Sequence, residues 1–335
     1  MLLRILTEED VRALLTLSEA IDVQAEAFRV LAEKRSVEGL RSFALSESPP
    51  GIAIFNPSFL KGGKGYGVKV VSDFYENENK GAPRMTALVA LFDGETGRPT
   101  TVMEGARLTD LRTGAGTGLA ARYLARKNSR TIAVIGAGRV ARNQLEALCE
   151  VCPLEKVWVS TRTEKRGREF LERMRGAGGR IPGDFELVES REEALRDADI
   201  VVAATTSHQP VFPGRALKAG AFVVAAGAYE PTAREVDTET IRRASKWVVD
   251  SRADCLKDAG DLVIPMKEGV IREEQIAQIA DLVDGHRPGR ESEEEITYYK
   301  SMGVPIQDLV TAQHIERQAI ERGVGLLVDI GGDHD

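Results

Sequence analysis

Lys69 stands in the run Val68-Lys69-Val70-Val71, and an ammonium drawn into such apolar surroundings can be tuned to hold or release a proton near neutral pH. The competing reading is an edge-strand lysine facing water. Arg41 and Arg112 carry planar forks that bind a carboxylate through paired hydrogen bonds, or else serve in surface ion pairs. A third source of chemistry is the stretch TIAVIGAGRVARN at residues 131–143. Gly136 there allows a tight turn, Gly138 lets backbone N–H groups approach a pyrophosphate, and small Ala141 packs the following helix against the strand. The anion would rest on the helix N-terminus, beside Arg139 and Val140. Taken alone, G-x-G-x-x-A is a weak signal of dinucleotide binding, so the surrounding elements must decide.

Stepping along the chain from that glycine turn, the residues ending the next strand choose the nicotinamide cofactor, an acid accepting from a ribose hydroxyl and an arginine accommodating a 2′-phosphate. Here they are Ser160, Thr161, Arg162 and Thr163, with no Asp or Glu, which favours NADP(H) over NAD(H). The alternative is that Arg162, Lys165, Arg166 and Arg168 form a solvated helix face. Further on, Thr205-Thr206-Ser207 and Gly227-Ala228-Tyr229 follow apolar runs and so fall at carboxyl ends of strands, where open α/β sheets bind ligands. His208, beside the first of these loops, reads as a loop histidine.

These groups need a scaffold. Residues 17–33 carry apolar side chains at helical spacing after a capped start at Thr7-Glu8-Glu9-Asp10, so the chain opens helical. Short β-like segments follow at 41–45, 52–55, 65–72, 85–92 and 100–103, separated by turns such as Asp93-Gly94, and predict a mainly antiparallel sheet. Residues 104–126 form a helix rich in small side chains. Strands at 132–135, 157–160, 185–188, 199–204, 222–226 and 247–250 then alternate with helices, the pattern of two mononucleotide-binding halves. Residues 296–325 read as helical, and the tail 331–335 as mobile. The predicted fold class is α/β: a Rossmann-type doubly wound parallel sheet at 126–305, beside an α+β domain built from 1–125 together with 306–330.

Composition bounds the function. A chain of 335 residues with 42% hydrophobic and 29% charged residues describes a globular protein with a sizeable core. Its net charge of −7 argues against nucleic acid as the main partner. No apolar run is long enough to span a bilayer, and Glu8, Glu9 and Asp10 interrupt what would be a signal peptide, so the expected location is cytoplasmic. Cys149 and Cys152 form a C-x-x-C, but Cys255 and four scattered histidines supply no second paired spacing, so packed thiols and no metal site are expected.

The residues also carry a family resemblance, covering almost the whole chain. The stretches GVKVVSDFYENENKGAPRMTALVALFDGETGRPTTVMEG, LTDLRTGAGTGLAARYLA, TIAVIGAGRVARNQLEAL, DADIVVAATTS and ITYYKSMGVPIQDLVTAQ resemble the ornithine cyclodeaminase and mu-crystallin family. The resemblance implies a homodimer whose β-rich domain supplies the dimer contact and substrate groups, while the second domain binds the nicotinamide dinucleotide. It implies that Arg41 and Lys69 hold a substrate carboxylate, that Arg112 serves both substrate and cofactor, and that Thr86 touches the cofactor. Cyclodeaminases of this family carry an Asp soon after the glycine ending the fifth strand. Here Tyr229 stands at that place, and a phenol is a poor general base near neutrality though it can donate a proton. The resemblance therefore points to an NAD(P)H-dependent reductase of α-imino acids, equivalently an amino-acid dehydrogenase. Ornithine cyclodeamination and a cofactor-bearing binding protein are its rivals.

Overall fold

The computed structural model describes residues 1–331; residues 332–335, most of the tail expected to be mobile, lie outside the described residues. Contacts divide the chain into two units, Met1–Arg112 with Val304–Asp335, and Thr113–Gly303. In the first unit the chain opens with a strand, β1 (Leu2–Leu6), where only helix was expected. Helices α1 (Glu8–Leu14) and α2 (Leu17–Ala32) both start at capping boxes, Thr7 with Asp10 and Thr16 with Glu19, which satisfy first-turn amides that the helix cannot. Strands β2 (Ser36–Glu38), β3 (Ser42–Glu47), β4 (Pro50–Leu60), β5 (Tyr66–Phe74), β6 (Met85–Phe92) and β7 (Pro99–Glu104) follow. Helix α3 (Gly105–Leu124) then carries the chain onward, Arg112 being the last residue of the first unit's long segment.

The second unit is built from alternating strands and helices. They are β8 (Thr131–Ile135), α4 (Arg139–Val151), β9 (Lys156–Ser160), α5 (Glu164–Arg175), β10 (Asp184–Leu187), α6 (Arg191–Asp197), β11 (Ile200–Ala203) and β12 (Phe222–Ala225). There follow α7 (Thr238–Arg243), β13 (Ala244–Val249), α8 (Arg252–Asp258), α9 (Gly260–Lys267), β14 (Ile276–Gln278), α10 (Ile279–Val283) and β15 (Ile296–Lys300). The strands pair in the order β10-β9-β8-β11-β12-β15-β13-β14, every pairing parallel. Strands such as IVVA of β11 and FVVA of β12 are buried along their whole length because helices cover both faces of such a sheet. The order reverses at β8 and β11, which places the ligand crevice of an open α/β sheet outside the carboxyl ends of these two strands.

Residues 296–300 are a strand, not the start of a helix, and β15 lies between β12 and β13. All five residues of ITYYK are buried, so the run lacks the alternation that marks a half-buried strand.

The chain returns to the first unit through α11 (Pro305–Arg322) and β16 (Leu326–Asp329). There β16 pairs antiparallel with β1, β1 runs parallel to β7, and β7-β6-β5-β4-β2 continue antiparallel, with β3 also on β4. Residues alternate along β5, burying Gly67, Lys69, Val71 and Asp73 on one face. Helix α11 lies over that face: a side chain built on Gly67 would come within 3.1 Å of Leu309. Buried bonds from Gln24 Nε2 to Thr311 Oγ1 and from Gln307 Nε2 to Gln24 Oε1, each 2.9 Å, tie α2 to α11. The opposite face carries the cross-strand rows Val37-Phe59-Tyr66-Phe92 and Phe55-Val70-Leu88, with Phe55, Phe59 and Leu88 exposed. Tyr66 stacks between Phe59 and Phe92 in the first row. Among the described residues, no helix is long and apolar enough to cross a membrane.

Candidate functional site

The first unit gathers its charged groups on the helix-covered face of the sheet. Lys69 Nζ lies 2.7 Å from Asp308 Oδ2, and Arg112 Nε lies 2.9 Å from Asp308 Oδ1. All three side chains are buried: Lys69 from β5, Arg112 from α3, and Asp308 from the first turn of α11. Asn56 is the direct cross-strand neighbour of Lys69, and its Oδ1 accepts a 3.0 Å hydrogen bond from Arg41 Nε. Arg41 is exposed and precedes β3 rather than lying within it, so its guanidinium reaches the cluster from a loop.

The charges perturb one another. Burial first, then the neighbouring Arg112 guanidinium, pull the Lys69 ammonium down to about 8, against the opposing pull of Asp308. Burial alone would raise the Asp308 carboxyl, but Arg112 and Lys69 together hold it below the usual carboxylate range. Lys69 and Arg112 thus share the Asp308 carboxylate, and Arg41 lies near enough for its charge to oppose the Lys69 ammonium as well. Glu38, on β2, adds a carboxyl that burial raises; its Oε1 accepts from Ser58, and its Oε2 is buried with no hydrogen-bond partner. Such a surface can receive a small carboxylate and hold a proton close to it.

Thr86 is not part of this cluster. It pairs with Ser72 on the uncovered face of the sheet, the side opposite Lys69, and is exposed.

In the second unit Gly136 has φ 117, and a side chain there would meet the Ala204 carbonyl at 2.3 Å, so the turn after β8 closes tightly on the end of β11. Gly138 is the N-cap of α4 and offers no side chain to its first turn, and a side chain built on it would meet nothing within 4 Å. First-turn amides without a side-chain cap, facing open space at the switch point of a parallel sheet, fit a pyrophosphate. Arg139 and Val140 open the helix, and Ala141 is fully buried behind it. Ser160 is buried at the end of β9 and its carbonyl accepts from Gly136 N at 2.8 Å. Thr161 is half-buried, while Arg162 is exposed beside Thr163, the N-cap of α5, which makes no side-chain capping bond. No acid stands at this strand end.

Thr205 is half-buried and Thr206 exposed in the loop after β11, and Gly227 follows β12 closely packed against Thr205. Tyr229 is 66% exposed, between buried Ala228 and Glu230. Cys149 and Cys152 sit at the end of α4 as buried thiols, pushed up to about 12 by burial, which leaves them inert.

Sequence reasoning missed Asp308, Glu38 and Glu235. Asp308 follows Pro305 within a helix's first turn, where an acid is unremarkable because it favours the helix dipole, so no signal marked it as the partner of Lys69. Glu235 is wholly buried beneath the loops after β11 and β12.

Comparison with known proteins places this architecture. The model of the ornithine cyclodeaminase/mu-crystallin family matches residues 3–323. The chain is 33% identical over 322 residues to a delta(1)-pyrroline-2-carboxylate reductase of Bacillus cereus, covering 96% of this chain and 98% of that protein. A delta(1)-pyrroline-2-carboxylate reductase of Thermococcus litoralis, solved in complex with NADH and L-proline, superimposes with a TM-score of 0.89 at 39% identity, over 96% of this chain and 99% of that one. An archaeal alanine dehydrogenase, solved as a dimer with bound NAD, gives a TM-score of 0.89 at 34% identity over 99% and 100% of the two chains. With the parallel sheet, the glycine turn and a family match over nearly its full length, the chain belongs to the ornithine cyclodeaminase/mu-crystallin family.

Proposed function

We propose that this protein is a nicotinamide-dependent reductase of small α-imino acids, and an amino-acid dehydrogenase in the oxidative direction. The observation that carries the reading is the buried Lys69-Asp308-Arg112 cluster with Arg41 beside it, three cationic side chains of the kinds that bind a substrate carboxylate. The relatives' own activities support it, since two are pyrroline-2-carboxylate reductases and one an alanine dehydrogenase. When bound, the dinucleotide supplies the hydride. Gly136, Gly138, Arg139 and Val140 would hold its pyrophosphate, Ser160, Thr161 and Arg162 its adenosine ribose, and Thr205, Thr206 and Gly227 its other half. Absence of an acid after β9 and presence of Arg162 favour NADP(H) over NAD(H).

The chain's own residues do the rest. Arg41, Lys69 and Arg112 fix the carboxylate and so orient the adjacent imine carbon, gaining rate mainly by positioning. Lys69, with its ammonium at about 8, or the Tyr229 hydroxyl delivers the proton to the nitrogen. Tyr229 in place of an acid disfavours cyclodeamination, which needs a proton shuttle there. The protein acts as a homodimer through the uncovered aromatic face of the first unit's sheet.

The test is NADPH and NADH oxidation by purified protein against pyruvate, glyoxylate, oxaloacetate and cyclic imines, each with and without ammonia. Turnover of an imino acid that vanishes in Lys69→Ala is the expected result. Tight dinucleotide binding with no turnover across the panel would instead leave a binding protein, and ornithine-dependent ammonia release without net absorbance change at 340 nm would indicate a cyclodeaminase.

A further inference from the structure

A buried charged network lies beneath the two loops that follow β11 and β12. Glu235 Oε1 accepts from Thr205 N and from Thr205 Oγ1 at 2.5 and 2.8 Å, and Glu235 Oε2 accepts from Gly227 N and Ala228 N at 2.6 and 3.1 Å. One carboxylate therefore takes its hydrogen bonds from both loops. Its own backbone is fixed in turn: Asp261 Oδ1 accepts from Glu235 N and Val236 N at 2.7 and 3.0 Å. The second oxygen of Asp261 pairs with Lys300 Nζ at 2.7 Å, and the same ammonium donates to the Ala228 carbonyl at 2.6 Å. Glu235, Asp261 and Lys300 are each wholly buried. Lys300 is the last residue of β15, the strand inserted beside β12.

The loops are also locked by shape. A side chain on Gly227 would fall 2.1 Å from the Thr205 carbonyl and 2.7 Å from Glu235 Oε1, so the two loops press together with the carboxylate between them. An α/β sheet of this order takes a dinucleotide in two halves, the pyrophosphate at the glycine turn after the first strand and one mononucleotide on each side of the switch point. The loops after β11 and β12 belong to the side away from β9, hence to the nicotinamide half. Three of their amides, those of Thr205, Gly227 and Ala228, are spent inward on Glu235, unlike the first turn of α4, which has no side-chain cap. They thus offer a tied, N–H-poor platform suited to a ring and its sugar, and no cradle for a phosphate.

Resting on the reductase reading above, we propose that Glu235 is the positioning residue for the nicotinamide half, shaping the Thr205 and Gly227 loops before the cofactor arrives, with Lys300 and Asp261 holding it in place. Glu235→Gln keeps the size of the side chain but turns an amide N–H₂ towards the N–H groups of Thr205 or of Gly227 and Ala228. Binding of NADH and of ADP-ribose, which lacks the nicotinamide, is measured by calorimetry on wild type and variant. The expected result is NADH affinity at least tenfold weaker and ADP-ribose affinity changed by less than twofold. Equal weakening of both, or no change in either, overturns the proposal. Where the wild type takes only the 2′-phosphorylated cofactor, NADPH and 2′-phospho-ADP-ribose replace the two ligands with the same expected outcomes, and wild-type protein that binds none of the four defeats the reductase reading itself.

A measurement on the wild type guards against a variant that does not fold. Amide hydrogen exchange of Thr205, Gly227 and Ala228 is expected to be slow without ligand and unaltered by NADH, whereas first-turn amides of α4 gain protection. Fast exchange at Gly227 and Ala228 that slows only when NADH binds would show that the cofactor, and not Glu235, shapes these loops.

Discussion

In the proposed reaction Lys69 meets two opposed demands, to be charged when the substrate carboxylate arrives and to be buried where charge is costly. Burial and Arg112 bring its ammonium to about 8, far below the ordinary lysine value of 10.5. Below about pH 8 Lys69 is cationic in the folded protein and would bind a substrate carboxylate; as pH rises through about 8 it becomes neutral and that contact would be lost. In the proposed reaction kcat/KM for the imino acid should therefore fall with an apparent pKa of about 8, and Lys69→Arg should remove that limb, because a guanidinium does not titrate in this range. Stability runs the other way. The unfolded chain binds more protons between the two values, so this one group makes the fold more stable as pH rises from about 8 towards 10.5. Arg162 poses a separate question of charge. Arg162→Asp should weaken NADPH binding by at least tenfold and NADH binding little; equal affinities before and after would remove Arg162 from cofactor choice.

Elements differ in how plainly their residues announce them. The turn from β8 to α4 was legible because each of its steric demands falls on a particular small residue, and the structure gives those demands distances. Gly136→Ala should cost about 1–3 kcal/mol in urea unfolding, since its positive φ and the Ala204 carbonyl at 2.3 Å leave no room for a methyl group. Strand β5 was legible as a strand from its β-branched run, but its faces were not, since the buried one carries Lys69 and Asp73 while Val68 and Val70 lie on the other. In contrast, β15 is buried throughout, and a short run buried on both faces has no period to tell strand from helix, so only its neighbours β12 and β13 show what it is. The pairings of Lys69 with Asp308 and of Thr205 with Glu235 are long-range in sequence, and a buried carboxylate has the same letter as a solvated one. Types of chemistry could be read from the chain, while the groups that hold the chemical residues in place needed the fold.

At the scale of the molecule, an uncovered sheet face lined by Phe55, Phe59, Tyr66, Val70 and Leu88 is a surface that a second copy would cover. Leu88→Asp should turn the proposed dimer into a monomer in sedimentation velocity, with an unchanged circular dichroism spectrum; a variant that still sediments as wild type would exclude this face. The order of strands in both sheets also bears on how the protein is made. On a ribosome β12 and β13 emerge well before β15, which must later slide in between them, and β1 and α2 wait for β16 and α11 at the far end of the chain. Until then the growing polypeptide exposes the unpaired edges of β12 and β13, the kind of edge on which nascent chains aggregate. Neither unit can close during most of translation, so newly made copies should depend on chaperone capture until residues 296–329 are released, a demand that arises from topology and not from any single residue.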